Sequence, residues 1–411
     1  MRTSLFCRFS RGARTAQYVP WWPVLVLWPG LCGPVLALEL FEGFQVHGFL
    51  SQGYFKTSAN NIFGNSDESG SLDFTEIGIN ASWIPLPRLQ LSTQLISRRA
   101  GEGADGEVEL DVGLADYSFL ETAEARFGVR LGRVRLPLGL YNDTRDVPFA
   151  RPSILLPQSV YPDAARTQQL SADGGMIYGA YHGTWGDLSV ELAGVLLQVH
   201  NLDTEINFFF QDLPGELDPE PSFIGRMIYE YDGGRLRLAV SGLRAETNYE
   251  PRLLPPDDLT AGTNLFEPVI FSAQYNAERW SFTAEYELRF DQSKGFGPLL
   301  PDNDIVGEGY YAQAIYRLDP HWEAVLRYDV LYHDRDDRDG TEFKAETGFP
   351  ANLQFAKDWT VGLRYNITSS LMVRAEYHGV YGTGWVSIRD NDPSMVDKQW
   401  DIFALLVSYR F

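Results

Sequence analysis

The residues from Arg279 to Phe290, with the sequence RWSFTAEYELRF, decide the fold class of this chain. Apolar or aromatic residues occupy every even position of the segment, and polar or charged residues occupy every odd position. Such alternation is typical of a β-strand with one apolar face, and a strand in a soluble sheet is usually about half as long. A membrane-spanning strand needs about 9–11 residues, with aromatic side chains at both ends of its apolar face. The segment therefore predicts a strand that crosses a membrane.

The same alternation recurs along the chain, and its interruptions alternate between short and long. Segments 88–98, 321–332, 355–365 and 371–381 repeat the pattern. Seven short connections lie near 84–87, 120–124, 183–186, 232–234, 276–278, 319–320 and 366–370, and eight long ones near 56–70, 99–107, 136–172, 200–221, 247–266, 291–307, 333–354 and 383–397. Fifteen connections predict sixteen strands, and an even number places both chain ends in the periplasm with the long loops outside. We predict an all-β fold, a 16-stranded antiparallel transmembrane β-barrel over residues 38–411.

Composition excludes several classes of protein. The chain has 411 residues, 44% of them hydrophobic, and a formal net charge of −21. The mean hydropathy of −0.21 is too low for a membrane protein of many helices. An aromatic content of 14% is too high for a disordered chain, and an acidic surface repels nucleic acid. The alternation along the strands accounts for these values. Each strand has an apolar face toward lipid and a polar face toward a lumen, and the average over both faces is a polar composition.

Residues 1–37 predict a cleaved secretory signal peptide. Four arginines precede an apolar stretch from Trp21 to Leu36 that carries no charge, and the stretch ends in a cleavage site after Ala37. The alternative is a transmembrane anchor, but four prolines between residues 20 and 34 would interrupt a spanning helix. Cleavage would remove both cysteines of the chain and leave 30 basic against 55 acidic residues, a net charge of −25.

The last twelve residues predict a strand with a specific role in assembly. Five apolar residues at every second position end at the terminal aromatic residue, namely Phe403, Leu405, Val407, Tyr409 and Phe411. This arrangement resembles the signal that the barrel-assembly machinery of the outer membrane recognises. Together with the export segment, it predicts a barrel in the outer membrane of a Gram-negative cell, in contact with membrane lipid and lipopolysaccharide.

The run from Phe127 to Leu140, FGVRLGRVRLPLGL, resembles the G-(K/R)-x-(K/R)-x-P-x-G-L stretch of the phosphate-selective-porin-like family (porins O and P). Asp116-Tyr117-Ser118-Phe119, which precedes it, also resembles that family. The resemblance covers the region before the third long loop, and elsewhere only the strand number and the terminal phenylalanine agree. Membership would imply a sixteen-stranded barrel, usually a homotrimer, in which the third external loop folds inward and narrows the pore.

The third long loop, residues 136–172, is the candidate constriction. A loop of 37 residues is far longer than the usual connection, so it is either functional or disordered. Its apolar run Ile154-Leu155-Leu156-Pro157 favours a loop folded against protein. The alternative is a disordered external loop. Its candidate pore residues are Asp143, Arg145, Asp146, Arg151 and Arg166.

The barrel wall supplies the other candidate pore residues, which have the parity of the polar face. They are Arg98, Arg126, Arg130, Arg226, Arg237, Glu285, Glu287, Arg327, Arg364, Arg374 and Glu376. Arginine suits anions because it is always charged, and charges at the narrowest point set selectivity. The mixture of signs predicts a transverse field rather than a pure arginine path. The alternative is that these side chains pair with one another and fill space. Arg133 and Arg135 break the parity of their strand, which predicts a bulge or a site shielded by protein.

We therefore predict a porin for the passive diffusion of small hydrophilic solutes and ions. An anion-selective, phosphate-type channel is one alternative, but external loops as acidic as 200–221 and 333–354 would repel anions. A plugged structural or adhesive barrel is the other alternative. We expect no enzymatic activity, no cofactor and no metal site. Asp337, Asp339 and Glu346 match part of a calcium-loop spacing, but Arg335 occupies its first ligand position.

Overall fold

The structure, a computed structural model, describes residues 38–199, 202–209, 213–252 and 258–411. The predicted signal peptide, residues 1–37, lies outside the described residues. In the described ranges, one antiparallel sheet contains sixteen long strands: β2 (Phe44–Thr57), β3 (Ser71–Leu86), β4 (Leu89–Ala100), β5 (Asp105–Glu121), β6 (Ala125–Arg135), β7 (Ser171–Gly183), β8 (Gly186–Leu196), β10 (Ser222–Tyr231), β11 (Leu236–Glu250), β12 (Gly262–Asn276), β13 (Trp280–Lys294), β14 (Asn303–Arg317), β15 (Trp322–Tyr332), β16 (Phe355–Asn366), β17 (Leu371–Gly382) and β18 (Gln399–Arg410). Two short strands, β1 (Leu38–Phe41) and β9 (Glu216–Pro219), pair with β2 and β11.

The sheet closes on itself, so the predicted 16-stranded barrel is confirmed. Each long strand pairs with its neighbours in sequence, and β8 pairs directly with β10. The last strand then pairs with the first, from Ile402 opposite Thr57 to Arg410 opposite Phe49. Closure leaves no unpaired edge strand in the barrel, which a sheet in lipid requires because the hydrocarbon offers no hydrogen-bond partners.

The connections alternate as the sequence predicts, but three of the predicted long loops are about half as long in the structure. The connections after β11 and β13 consist of residues 251–261 and 295–302, whereas the sequence predicts 247–266 and 291–307. The connection between β4 and β5 consists of residues 101–104 only, whereas the sequence predicts a long loop over 99–107. The two strands continue to pair as far as Arg99 and Asp105, so the extra residues belong to the ladder.

Aromatic side chains form two bands on the outer face of the barrel. Near the short turns, Trp280 packs on Tyr316 and Trp322 packs on Tyr365, each pair with ring centroids 4.4 Å apart. Toward the long loops, the rings of Tyr328 and Trp359 lie 4.5 Å apart. Exposed leucine, valine and phenylalanine side chains cover the face between the bands. This distribution is that of a barrel embedded in a bilayer.

The segment between β6 and β7 fills part of the barrel interior. Apolar side chains of the segment between β6 and β7, among them Leu136, Leu156 and Val160, are buried against wall residues such as Met176 and Ile270. Helices are short: α1 (Arg166–Leu170), α2 (Leu202–Phe209), α3 (Thr341–Thr347) and two 3₁₀ turns, Asn142–Thr144 and Ala351–Gln354. Within the described ranges, none of the helices is long and apolar enough to span a membrane.

The two arginines that break strand parity meet different surroundings. β5 carries a register irregularity opposite Gln94 and Leu95, beside the end of β6. Arg135 turns into protein, where it forms ion pairs with Asp111 and Asp146. Arg133 stays on the outer face and forms a bidentate pair with Asp173, at 2.8 and 2.7 Å.

The closing seam between β2 and β18 leaves no space beside Gly48. The amides of Gly48 and Phe411 donate to each other's carbonyl oxygens at 3.1 and 3.0 Å, and a Cβ at Gly48 would lie 2.4 Å from the Phe411 ring. We expect Gly48→Val to lower the free energy of unfolding by about 1–3 kcal/mol, because the ring must move off the seam. The midpoint of the heat-induced shift of the folded band in gel electrophoresis measures the loss. Gly379→Val is the matched control, because its Cβ would have no neighbour closer than 4.0 Å. Equal midpoints for the two variants would contradict this reading of the seam.

Candidate functional site

The segment between β6 and β7, residues 136–170, crosses the barrel interior and is here called loop L3. It is the third connection on the long-loop side, and the last two residues of the predicted loop, Ser171 and Ala172, belong to β7. Its atoms contact inward-facing side chains of nine strands, namely β3, β4, β10, β11, β13, β14, β15, β16 and β17. L3 is therefore attached around most of the barrel circumference.

The carboxylate of Glu285, which points inward from β13, holds two separate parts of L3. Tyr161 and Tyr311 donate hydroxyl hydrogen bonds to it at 2.6 Å, and Ser272 donates a third at 2.6 Å. The amide of Leu140 donates to the same carboxylate at 3.0 Å and to the Tyr161 hydroxyl oxygen at 2.8 Å. Glu285 thus joins two distant parts of L3 to two strands of the wall, and four donors satisfy its buried charge.

The apolar run of L3 is held through its main chain. The carboxylate of Glu376 accepts from the amide of Ile154 at 2.5 Å, and that of Asp329 accepts from the amide of Gln158 at 2.7 Å. Arg327 donates to the carbonyl oxygen of Leu155 at 3.0 Å. Two further guanidinium groups do the same: Arg374 donates to Arg151 at 2.9 Å and Arg364 donates to Phe149 at 3.1 Å. Charged wall residues therefore bind backbone groups of L3 that would otherwise be buried without partners.

Five arginines and four carboxylates meet where L3 faces β3, β4 and β5. Arg151 forms a bidentate pair with Glu76 at 3.1 and 2.6 Å, and Arg98 pairs with Asp163 at 2.7 Å. The other members are Arg135, Arg145 and Arg166 with Asp111 and Asp146. This group, the arginine cluster, has a formal charge of +1. Four of its guanidinium groups line a cavity of about 10 Å³, the space of a single water molecule.

Burial changes the ionisation of the L3 side chains in this cluster. Burial lowers the pKa of Arg145 to about 10, which still leaves it charged at neutral pH. Burial would raise the pKa of Asp163, but the charges of Arg98 and Arg145 outweigh it and hold that pKa below its usual range. Burial also raises the pKa of Tyr141, at the other end of L3, to about 12. Arg145 and Asp163 therefore remain charged at neutral pH.

A second row of charges is open to water on the other side of L3. The guanidinium of Arg226 lies 2.6 Å from both Asp143 and Glu191, and Arg130 lies 3.1 Å from both Glu191 and Asp116. The side chains of Asp143 and Arg130 are 39% and 29% exposed, respectively. L3 and the wall therefore present charges of alternating sign to the aqueous part of the lumen.

The structure places the predicted site residues in several different surroundings. L3 contributes Asp143 to the water-exposed row, whereas it buries Arg145, Asp146, Arg151 and Arg166 in the arginine cluster. Of the wall residues, Arg98 joins the arginine cluster and Arg130 belongs to the exposed row. Arg226 is buried, but it pairs with Asp143 of that row. Arg237 pairs with Glu230 at 2.6 Å, and Arg126 lies over the ring of Tyr178. Glu285, Glu287, Arg327, Arg374 and Glu376 are buried, and Arg364 binds L3.

Several residues of the site are absent from the set predicted by sequence. Glu76 and Asp116 have the parity of the polar face, so the same criterion that selected Arg98 could have found them. Tyr161 and Tyr311 carry no such signal, because tyrosine occurs on both faces of these strands and in loops.

The acidic loop 333–354 does not gather its carboxylates around one point. Asp337 accepts from the amides of Glu342 and Phe343, at 3.2 and 2.8 Å, and so caps helix α3. Over the part of the chain that the structure describes, no group of three or more His, Cys, Asp or Glu side chains is arranged to hold a metal ion.

Comparison with solved structures identifies the fold as that of the outer-membrane porins. The outer membrane channel DcaP of Acinetobacter baumannii superposes with a TM-score of 0.57 at 12% identity, over 92% of this chain and all of that one. The anion-selective porin from Comamonas acidovorans gives a TM-score of 0.57 at 11% identity, over 90% and 99% of the two chains. OmpT of Vibrio cholerae in its trimer form gives 0.52 at 11%, over 90% and 99%. No protein-family model and no curated protein matches the sequence.

The buried pair of Arg151 and Glu76 should contribute much more to stability than the exposed pair of Arg133 and Asp173. We expect Arg151→Ala to lower the free energy of unfolding by about 3–5 kcal/mol, because it leaves the Glu76 carboxylate buried beside Arg98 alone. Arg133→Ala, which breaks an equally bidentate pair at the surface, should cost less than about 1 kcal/mol. Urea unfolding of the protein in lipid vesicles, followed by tryptophan fluorescence, measures both losses. Similar losses would show that the Arg151 pair does not hold L3.

Proposed function

We propose that this protein is a porin of the Gram-negative outer membrane, through which small hydrophilic solutes and ions diffuse passively. The observation that carries the proposal is the position of L3, which spans the lumen of a closed 16-stranded barrel and leaves Asp143 and Arg130 in contact with water. A loop in this position narrows the passage, and its charges act on every solute that passes. Such a pore needs no enzymatic group and no cofactor.

The alternating charges favour a pore of broad specificity. Arg130 and Arg226 are each flanked by two carboxylates, so the row orients dipolar solutes without a continuous path for either sign. The acidic external loops raise the local concentration of cations at the mouth of the pore and repel phosphate.

One observation favours a second candidate, an anion-selective channel. The arginine cluster has more guanidinium groups than carboxylates, and a neighbour in fold is described as an anion-selective porin. The kinship with phosphate-selective porins, suggested by residues 127–140, belongs to this candidate. The dense packing of L3 favours the third candidate, a plugged structural barrel, and a barrel without conductance would support it.

The two chain ends fit the same proposal. Residues 1–37 would direct export and be removed, and the strand that ends at Phe411 would be recognised by the barrel-assembly machinery. Phe403, Val407 and Phe411 of this strand are exposed on the outer face. Membrane lipid and lipopolysaccharide would then surround the outer face of the barrel.

Ion selectivity should follow the water-exposed charges. We expect Arg130→Ala to raise the cation-to-anion permeability ratio roughly seven-fold, because one unit charge at about 7 Å in water changes the energies of a cation and an anion by about 0.6 kcal/mol each, in opposite directions. Asp143→Asn should lower the ratio by a similar factor. Reversal potentials in planar bilayers under a salt gradient measure both changes. Large conductance steps in simple salt are expected for all variants.

Arg244→Gln is the matched control for selectivity. Arg244 is paired with Glu267 on the outer face, so the same change of charge lies outside the lumen and should leave the reversal potential unchanged. A reversal potential set by anions in the wild type would support the anion-selective channel instead. Absence of conductance in the wild type would contradict both pore proposals.

We also propose that the protein is a homotrimer. Three outward-facing polar residues, Gln52, Thr75 and Arg99, lie opposite one another on β2, β3 and β4. Their polar groups would be costly against lipid but acceptable against another subunit. A neighbour in fold is described as a trimer.

The homotrimer predicts a mass three times that of the mature chain. Native mass spectrometry of the detergent-solubilised protein measures it directly. Heating should convert the trimer to monomers, as a shift in gel electrophoresis would reveal. A monomeric mass before heating would contradict the proposal.

A further inference from the structure

Two of the five lysines of the chain lie together at the long-loop end of the outer face. Lys357 is the third residue of β16, and Lys398 immediately precedes β18. The ammonium group of Lys357 lies 5.7 Å from the ring centre of Tyr332 and 5.9 Å from that of Phe355. The ammonium group of Lys398 lies 5.5 Å from the ring of Phe355 and 4.6 Å from that of Tyr381. The shared ring of Phe355 thus holds both positive charges in one patch.

Neither lysine is neutralised by a carboxylate. With the residues that the structure describes, the two ammonium groups form no ion pair and no hydrogen bond, only the contacts with aromatic rings. The neighbouring Arg338, which lies over Tyr332, differs in this respect because it pairs with Glu308 at 2.7 Å. These two cations lie over one ring and have no carboxylate partner in a chain with 55 acidic residues, and an anionic ligand would complement them.

The patch lies at the height of lipid headgroups. Tyr365, in the aromatic band near the short turns, is eight residues from Lys357 along β16. Eight residues of a strand tilted by about 40° rise roughly 20 Å, and the apolar band of such barrels is about 25 Å tall. Lysine side chains extend beyond their Cα atoms toward the polar region. The ammonium groups therefore reach the outer border of the hydrocarbon layer.

The surface below the patch suits acyl chains. Trp359, Val361, Tyr377 and Phe403 face outward beneath the lysines, and each is substantially exposed. A molecule that matches the whole surface needs a phosphate at one end and hydrocarbon at the other.

We propose that Lys357 and Lys398 bind a phosphate group of lipopolysaccharide, the phosphorylated glycolipid of the outer leaflet, while its acyl chains cover the apolar surface below. The two ammonium groups approach the phosphate from the long-loop ends of β16 and β18, the two strands that flank β17, and the rings of Tyr332, Phe355 and Tyr381 hold them in place. The inference rests on the proposed outer-membrane location and not on the conductance of the pore.

Native mass spectrometry of the full mature protein with purified lipid A tests the site. We expect the double variant Lys357→Gln/Lys398→Gln to bind diphosphorylated lipid A roughly 10- to 30-fold more weakly than the wild type, from the loss of two lysines near a charged surface. The wild type should bind dephosphorylated lipid A with the same acyl chains as weakly as the double variant binds the diphosphorylated form. Lys357→Arg/Lys398→Arg should restore binding of the phosphorylated form.

The matched control is Lys294→Gln/Lys344→Gln, which removes the same charge from two exposed lysines that form no contact with an aromatic ring in the described residues. It should bind within two-fold of the wild type. Equal weakening by both double variants, or tight binding of dephosphorylated lipid A, would overturn the proposal. Equal affinity for phosphatidylglycerol would also overturn it, because the site would then serve any anionic lipid. Conductance measured in parallel separates this site from the pore, since the double variant should conduct as the wild type does.

Discussion

Every backbone amide and carbonyl group of the barrel must find a partner within the protein, and this constraint governs the structure. Hydrocarbon offers no hydrogen bonds, so sixteen strands are stable in a bilayer only if the last pairs with the first. The seam between β2 and β18 meets the requirement from Thr57 to the chain terminus, where Gly48 and Phe411 exchange amide hydrogen bonds. Closure also defines an inside, and the placement of charged side chains follows from it.

The same requirement explains how charged residues of the wall are used. L3 enters the barrel without regular secondary structure along most of its length, so its buried amides and carbonyls lack the partners that a strand or helix would provide. Glu376 and Asp329 accept from its amides, and Arg327, Arg364 and Arg374 donate to its carbonyls. A neutral apolar wall could not hold L3 in this way. The position of the loop therefore depends on charged groups of the wall, and all of these except Arg364 are buried.

Sequence alone predicts the barrel well because parity is a local property. In the segment from Trp280 to Phe290, the polarity of each residue predicts the face of the strand on which it lies. The structure places this strand at Trp280–Lys294. The alternation does not show which residues an inward-facing side chain contacts. Arg130 and Arg327 both face inward, yet Arg130 is partly exposed to water whereas Arg327 is buried beneath L3. The difference depends on the path of a loop that is distant in sequence, and no pattern within either strand encodes it.

The attachment of L3 to nine strands has a mechanical consequence for the barrel. A closed sheet resists stretching along its hydrogen bonds, but its circular cross-section can flatten under lateral pressure from the surrounding bilayer. L3 connects Glu76 of β3 and Glu376 of β17 to Arg226 of β10, which lies six and seven strands from them around the barrel, through continuous covalent chain. Flattening in either direction would stretch or compress this connection and break charge-assisted hydrogen bonds. L3 therefore opposes flattening of the barrel, and with it a change in the width of the passage when the lateral pressure of the membrane changes.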